Sequence, residues 1–207
     1  QELNQERLRF YTNITHELRT PLTLILGPLE DMQKKASLPA KQAQKLSVIH
    51  QSALRLLNLI NQILEFRKTE TQNKKLCVSK GNIAPLIYEI GLKYKELNQN
   101  TKIDFRIQIE KEEMFLFFDK EIITIVLDNL ISNAIKYTEQ GCVTLSLHQT
   151  MRNEVAYTEI KVSDTGYGIS AEALPHIFDR YYQESGKHQA SGTGIGLALV
   201  KNLVTLH

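Results

Sequence analysis

Leu8-Arg-Phe-Tyr-Thr-Asn-Ile-Thr-His16-Glu17-Leu-Arg-Thr20-Pro21-Leu-Thr-Leu-Ile-Leu-Gly-Pro28-Leu-Glu-Asp-Met32 is the stretch on which the fold of this 207-residue chain turns. Its apolar residues recur at Leu8, Tyr11, Leu18, Leu22, Ile25, Leu29 and Met32, with Thr15 in the single gap. Alternating steps of three and four draw one stripe along a helix, the seam of a coiled-coil-like pairing. Pro21 lacks an amide hydrogen and predicts a local bend, and Pro28 a second interruption. The stretch Lys34 to Lys41, with Ser37 and Pro39, predicts a turn. A second seam follows at Leu46, Ile49, Ala53, Leu56, Ile60 and Ile63, widened by Leu54, Leu57, Leu59 and Leu64. One hairpin cannot cover that much apolar surface. Two hairpins about a two-fold axis make a four-helix bundle, so a homodimer through about residues 5 to 68 is expected.

The polar run Lys68-Thr-Glu-Thr-Gln-Asn-Lys-Lys75 is a linker candidate. It divides the chain into residues 1–70 and residues 76–207. Beyond it the pattern changes. Strands are predicted at Ile103 to Ile109, Met114 to Phe118, Val143 to Leu147 and Tyr157 to Val162. A long helix is predicted over Lys120 to Tyr137 and a shorter one over Ala198 to Leu206. Without regular strand–helix alternation, this implies an α+β fold with helices on one side of a mostly antiparallel sheet.

Composition excludes several classes. A net charge of +2 gives no strong pull toward nucleic acid, membrane or acidic partners. No stretch approaches the roughly 20 apolar residues of a membrane span. Cys77 and Cys142 lack metal-ligand spacing and read as reduced thiols that pack. The first residue is Gln1, so the chain reads as a fragment with any membrane anchor upstream.

Four clusters carry chemistry. Helical spacing sets Thr12, His16, Arg19 and Thr23 on one polar stripe beside the seam, which exposes His16 on a rigid helix. A neutral imidazole keeps a lone pair that can attack phosphorus, and Glu17 can orient the ring or take its proton. A lone histidine on a charged helix face is usually only solvated; the other clusters reverse that here. Asn129 and Asn133 are four apart on one helical face, and amide oxygens suit Mg²⁺, which also binds phosphate. Lys136 can meet phosphate charge and Tyr137 offers a flat face to a purine. Asp164-Thr-Gly166-Tyr-Gly168 follows a predicted strand, and Asp164 can accept from an exocyclic amine such as that of adenine. Ser191-Gly192-Thr193-Gly194-Ile195-Gly196-Leu197 precedes a helix, which makes an anion cradle. It is neither the strand-first dinucleotide fingerprint nor a P-loop. Tyr181 to Ala190, between the last two clusters, is expected to form a mobile lid.

These motifs together resemble the sensor histidine kinases of two-component systems, hybrid sensors in particular over Phe10 to Glu30. His16-Glu-Leu-Arg-Thr-Pro21 is similar to their phosphoacceptor box and Asn129 to Thr138 to the asparagine box. Asp164 to Gly168 and Gly192 to Leu197 resemble the two glycine boxes, and Ile177-Phe178-Asp-Arg-Tyr181-Tyr182 the phenylalanine box. The resemblance implies a dimerising phosphotransfer domain, then an ATP-binding α/β sandwich of the histidine kinase, gyrase and chaperone ATPase type. By position, His16 would be the phosphoacceptor, Glu17 its acid/base partner, and Thr20 a water-positioning residue in dephosphorylation of the partner. Asn133 would bind Mg²⁺, with Asn129 and Lys136 helping to hold metal and phosphates. Tyr137 would face the purine and Asp164 would read the adenine amine. Gly166, Gly168, Gly192, Thr193, Gly194, Gly196 and Leu197 would shape pocket and lid, and Phe178 would fix the lid's root in the core. The implied partners are a second copy and a response-regulator receiver, with ATP and Mg²⁺ as cofactors. The implied location is the cytoplasmic part of an inner-membrane-anchored sensor.

There are departures. Ile195 stands where Leu is commoner, and the chain ends at His207, before the Gly-Gly turn and two closing strands the family carries. An unpaired edge, with weakened stability or nucleotide binding or else compensation by a neighbouring chain, is therefore expected. Two rival readings are an ATPase of the same fold without phosphotransfer, and a non-catalytic dimeric scaffold. The first looks for a Glu where Asn129 stands; the second sits badly with an intact Asn133, Asp164 and both glycine boxes.

Overall fold

The computed structural model of the chain describes residues 18–32, 39–70, 75–183 and 194–207. It falls into two compact units, Gln1–Lys74 and Lys75–His207.

In the first unit, α1 (residues 18–32) runs as helix through Pro21 and Pro28 without a break. The second helix, α2 (Ala40–Glu70), takes up the end of the expected turn and the first residues of the expected linker. Residues 33–38 and 71–74, the rest of that turn and the middle of that linker, lie outside the described residues. Leu22 and Leu26 of α1 pack with Ala53 and Ile60 of α2, and Leu57 adds to them. The contact stripe within the hairpin is therefore narrower than the two seams. Leu18, Ile25 and Met32 on α1 and Ile49 and Leu56 on α2 stay exposed, with Ile25 at 50%.

The second unit is built from β1 (Ser79–Asn82), α3 (Ile83–Leu97), β2 (Ile103–Ile109), β3 (Phe115–Phe118), α4 (Lys120–Tyr137), β4 (Gly141–Arg152), β5 (Val155–Asp164) and α5 (Gly196–Leu206). β4 is the centre of a three-stranded sheet, parallel to β2 and antiparallel to β5. β1 and β3 form a separate antiparallel pair. Asn153 and Glu154 both take positive φ, the backbone that a two-residue hairpin turn between right-twisted strands demands.

Capping fixes the helices. Asn82 caps α3 by accepting from Ala84 N, and Pro85 falls in the first turn, where a missing donor does no harm. Asp119 caps α4, its Oδ1 accepting from Glu121 N and Ile122 N. Its Oδ2 accepts from Cys77 N at 2.7 Å, which ties the entry of the unit to the start of α4.

The core lies between the sheet and the two helices. Ile83, Ile87 and Ile90 of α3 meet Leu127, Ile131 and Ala134 of α4, over Phe105 of β2 and Val143, Leu145 and Leu147 of β4. Each such aliphatic side chain, fully buried, contributes about 1.5–3 kcal/mol. α5 lies against α4 and buries Ala198, Leu199, Val200 and Leu203. No helix among the described residues is long and apolar enough to cross a membrane. The expectation that both cysteines pack is corrected for Cys77, which is exposed because it sits in the extended segment before β1; Cys142 is half-buried.

Candidate active site

Everything in the second unit's site hangs on the end of α4. The Tyr137 carbonyl accepts from Tyr167 N at 3.2 Å. A Cβ on Gly166 would lie 2.3 Å from that same carbonyl oxygen, so only glycine lets the loop after β5 come so close. On its other side the loop is sewn to β4: Thr165 N donates to Cys142 O at 3.1 Å, and Thr165 Oγ1 accepts from Cys142 N at 2.9 Å. Asp164 sits at the end of β5, exposed. Its Oδ1 accepts from Gly166 N at 2.9 Å, an Asx turn that fixes the carboxylate. The second oxygen is left available to a ligand amine.

On α4, Asn129 and Asn133 are set apart by burial. Asn129 is 6% exposed; its Nδ2 donates to the Ile125 carbonyl and its Oδ1 lies 2.9 Å from where a Cβ on Gly196 would stand. This asparagine therefore meets the first turn of α5. Asn133, one turn on, is half-buried and its amide makes no hydrogen bond among the described residues. α5 begins at Gly196 without a side-chain cap. Among the described residues no side chain bonds its first N–H groups, and its dipole points its positive end toward Asn129.

Lys136 is exposed, and its ammonium sits 4.6 Å from the centre of the Tyr137 ring, within 3.1 Å of the phenol oxygen. One face of Tyr137 is thus already held by a cation. Thr138, the next residue, is 2% exposed, and its Oγ1 has no partner among the described residues. A buried hydroxyl left open costs about 1–3 kcal/mol. It marks a polar spot at the end of α4.

Gly168 and Gly194 both take positive φ. A Cβ on Gly194 would lie 2.5 Å from the Tyr181 carbonyl carbon, and Tyr181 N donates to Gly194 O at 2.9 Å. Tyr181, the first residue of the expected lid, is thereby joined to the second glycine box. Gly192 and Thr193 lie outside the described residues, as do His16 and Glu17. Leu197 is half-buried in the first turn of α5. The expectation for Phe178 is corrected. It is 40% exposed, with Lys201 Nζ 5.9 Å from its ring centre, because the 3-10 turn Leu174–His176 carries it along the surface. In the first unit, Thr20 is exposed and the Arg19 guanidinium donates to Asn61 Oδ1, so part of the polar stripe faces α2.

Sequence reasoning missed Thr165, Tyr167, Glu139 and the pinning role of Tyr181. Tyr167 donates to Glu139 Oε2 at 2.7 Å, and this bond holds the phenol above its ordinary pKa. Nothing in the local sequence marks Glu139 as its partner. Tyr181 at φ 62 is unusual for a residue with a side chain, and composition does not announce it.

Comparison with known proteins identifies the two domains. The family model described as His Kinase A (phospho-acceptor) domain matches residues 6–72. The model described as histidine kinase-, DNA gyrase B-, and HSP90-like ATPase matches residues 118–207. Histidine kinase P4 of Formosa agariphila is 38% identical over the whole chain, which spans 15% of that protein. Hybrid signal transduction histidine kinase D of Dictyostelium discoideum is 34% identical, again over the whole chain, which spans 14% of it. Among solved structures, full-length ShkA in complex with AMPPNP matches with a TM-score of 0.73 and 25% identity, over 95% of this chain and 40% of that one. With a phospho-acceptor domain followed by an ATPase domain, the chain belongs to the sensor histidine kinases of two-component systems.

Proposed function

We propose that the chain carries out ATP-dependent phosphorylation of His16 and passes the phosphoryl group to an aspartate of a response-regulator receiver. ATP would lie along α4, under the first glycine box and against the start of α5. The fixed Asp164 carboxylate suits the adenine amine, with Tyr137 as a stacking face. Lys136, Gly192, Thr193, Gly194, Gly196 and Leu197 would surround the phosphates, with the uncapped N-terminus of α5 as the main source of backbone donors.

The donor set fits Mg²⁺. Asn133 offers an uncommitted amide oxygen, with phosphate oxygens and water as its natural co-ligands. Asn129 would stand behind it, holding the α5 turn in place. Bound there, Mg²⁺ would neutralise charge on the phosphate oxygens.

In the transfer step, one nitrogen of the neutral His16 ring supplies the electron pair for the new N–P bond. The bond from the γ-phosphorus to the bridging oxygen breaks and ADP leaves. Glu17 takes the proton from the other ring nitrogen. Thr20 would orient water when the receiver is dephosphorylated. Two copies would pair through the apolar residues that the single hairpin leaves exposed. In the longer protein this part would lie on the cytoplasmic side of a membrane-anchored sensor.

The single observation that supports the reading is the Asp164–Gly166–Tyr137 junction, where an Asx turn holds an exposed carboxylate against the backbone at the end of α4. The test is labelling with ATP that carries a labelled terminal phosphate. His16→Ala is expected to abolish acid-labile label; label that persists in this variant would end the proposal.

A further inference from the structure

The turn that carries Asp164 is held from a third direction, by a bond outside the glycine box. Tyr167 stands between the two glycines, and its hydroxyl donates to Glu139 Oε2 at 2.7 Å. Glu139 lies in the connection from α4 to β4, two residues after Tyr137. Along one face, then, the Tyr137 carbonyl receives the Tyr167 amide hydrogen and Glu139 receives the Tyr167 phenol hydrogen. The Glu139 carbonyl in turn accepts from Asn100 Nδ2 at 2.9 Å, which fixes the connection to the loop before β2. Tyr167 is half-exposed and buries little, so burial is not what this bond supplies. What it supplies is orientation: Asp164 Oδ1 is bonded to Gly166 N, one residue before the clamped tyrosine.

We infer that the Tyr167–Glu139 hydrogen bond is a positioning device for base selection, which sets the Asp164 carboxylate at the distance an exocyclic amine requires. This rests on the reading of Asp164 as the adenine acceptor. The ligand class is the 6-aminopurine nucleoside triphosphates. A 6-oxo purine would present a carbonyl oxygen to the carboxylate and gain nothing from the clamp.

Binding of ATP and of inosine triphosphate, which lacks the amine, separates orientation from general loosening. The measurement is calorimetric, on the whole chain with Mg²⁺. Wild type is expected to prefer ATP, and Asp164→Asn to lose that preference. Tyr167→Phe and Glu139→Ala should each lower the ATP-to-ITP ratio by about threefold to tenfold, the worth of one hydrogen bond. The double variant should be no worse than either single one, and inosine triphosphate should bind wild type and the three clamp variants alike. A wild-type ratio in Tyr167→Phe, while Asp164→Asn has lost it, overturns the clamp and leaves the Asp164 reading standing. Equal weakening toward both nucleotides also overturns it, because the bond would then be merely structural. No preference in wild type removes the Asp164 reading, and the clamp with it.

Discussion

Gly166 and the carbonyl of Tyr137 are so close that a methyl group has no place between them: a Cβ there would stand 2.3 Å from the oxygen and 2.8 Å from the carbon. The obstacle is backbone at the end of a packed helix, so it cannot swing aside as a side chain would. The contact joins two separate motifs of the site, the end of α4 and the turn after β5.

Gly166→Ala should therefore push the Asp164 turn off α4. The overpacking cost is about 1–3 kcal/mol, and the turn rather than the core can move to relieve it. The expected result is at least a roughly tenfold loss of ATP affinity by calorimetry, with a small drop in melting midpoint. Unchanged affinity would show that the turn tolerates displacement and that its closeness to Tyr137 does not matter.

Asp119 serves three amide donors, Cys77 N, Glu121 N and Ile122 N, and is itself 2% exposed. Removing the carboxylate in Asp119→Ala orphans all three. The loss should reach the upper end of a cap's worth, about 2 kcal/mol. Hydrogen exchange at the Val143, Leu145 and Leu147 amides should quicken accordingly, roughly thirtyfold. Exchange there at wild-type rates would mean that the capped end frays without loosening the core.

Tyr94 predicts an alkaline dependence. Burial, then the charge and hydrogen bond of Asp128, raise its phenol far above the ordinary value. The hydroxyl donates to Asp128 Oδ1 at 2.9 Å, and Lys93 Nζ lies 3.0 Å from that oxygen, which staples α3 to α4. The folded chain thus favours the neutral phenol. Its stabilisation is complete below the unfolded value, about 10, and declines as pH rises past it. Tyr94→Phe should cost about 1 kcal/mol at pH 8. In urea unfolding that gap should narrow above about pH 10; a gap that stays constant to the end of the alkaline range would remove the phenol from the account.

How far the sequence reaches can be judged from α4. The helix runs over Lys120–Tyr137, the span its apolar spacing predicts, because an aspartate cap at one end and a buried face along its length agree. β4 and β5 run beyond their expected limits, since Gln149 to Arg152 pair with Val155 to Thr158 outside the core and carry no apolar alternation. β1, with the sequence Ser-Lys-Gly-Asn, has no strand pattern at all and exists because β3 gives it a partner. α3 was hidden by Pro85 and Gly91; Gly91 is needed where Ile107 crowds the helix. At the site, the need for glycine at 166, 168 and 194 was legible, because close approach or positive φ demands it there. Phe178 on the surface, Lys136 folded over Tyr137 and the Glu139 partner of Tyr167 were not, because they depend on chain segments brought together only by the fold.

The hairpin offers the last prediction, because its buried and exposed apolar residues answer different questions. Leu22 and Leu26 are 6% exposed and are satisfied within one chain. Ile25 and Ile49 are half-exposed on the two helices, where a single hairpin gives them no cover. If two copies pair through the exposed set, Ile25→Lys and Ile49→Lys should convert a dimer to a monomer by sedimentation equilibrium while α1 and α2 keep their helical signal. Leu22→Ala should do the reverse. It removes packing inside each hairpin at a cost of about 2–5 kcal/mol, lowering the melting temperature with far less effect on subunit exchange at low temperature. A dimer that survives both lysine substitutions would place the pairing surface elsewhere and leave the exposed seam unexplained.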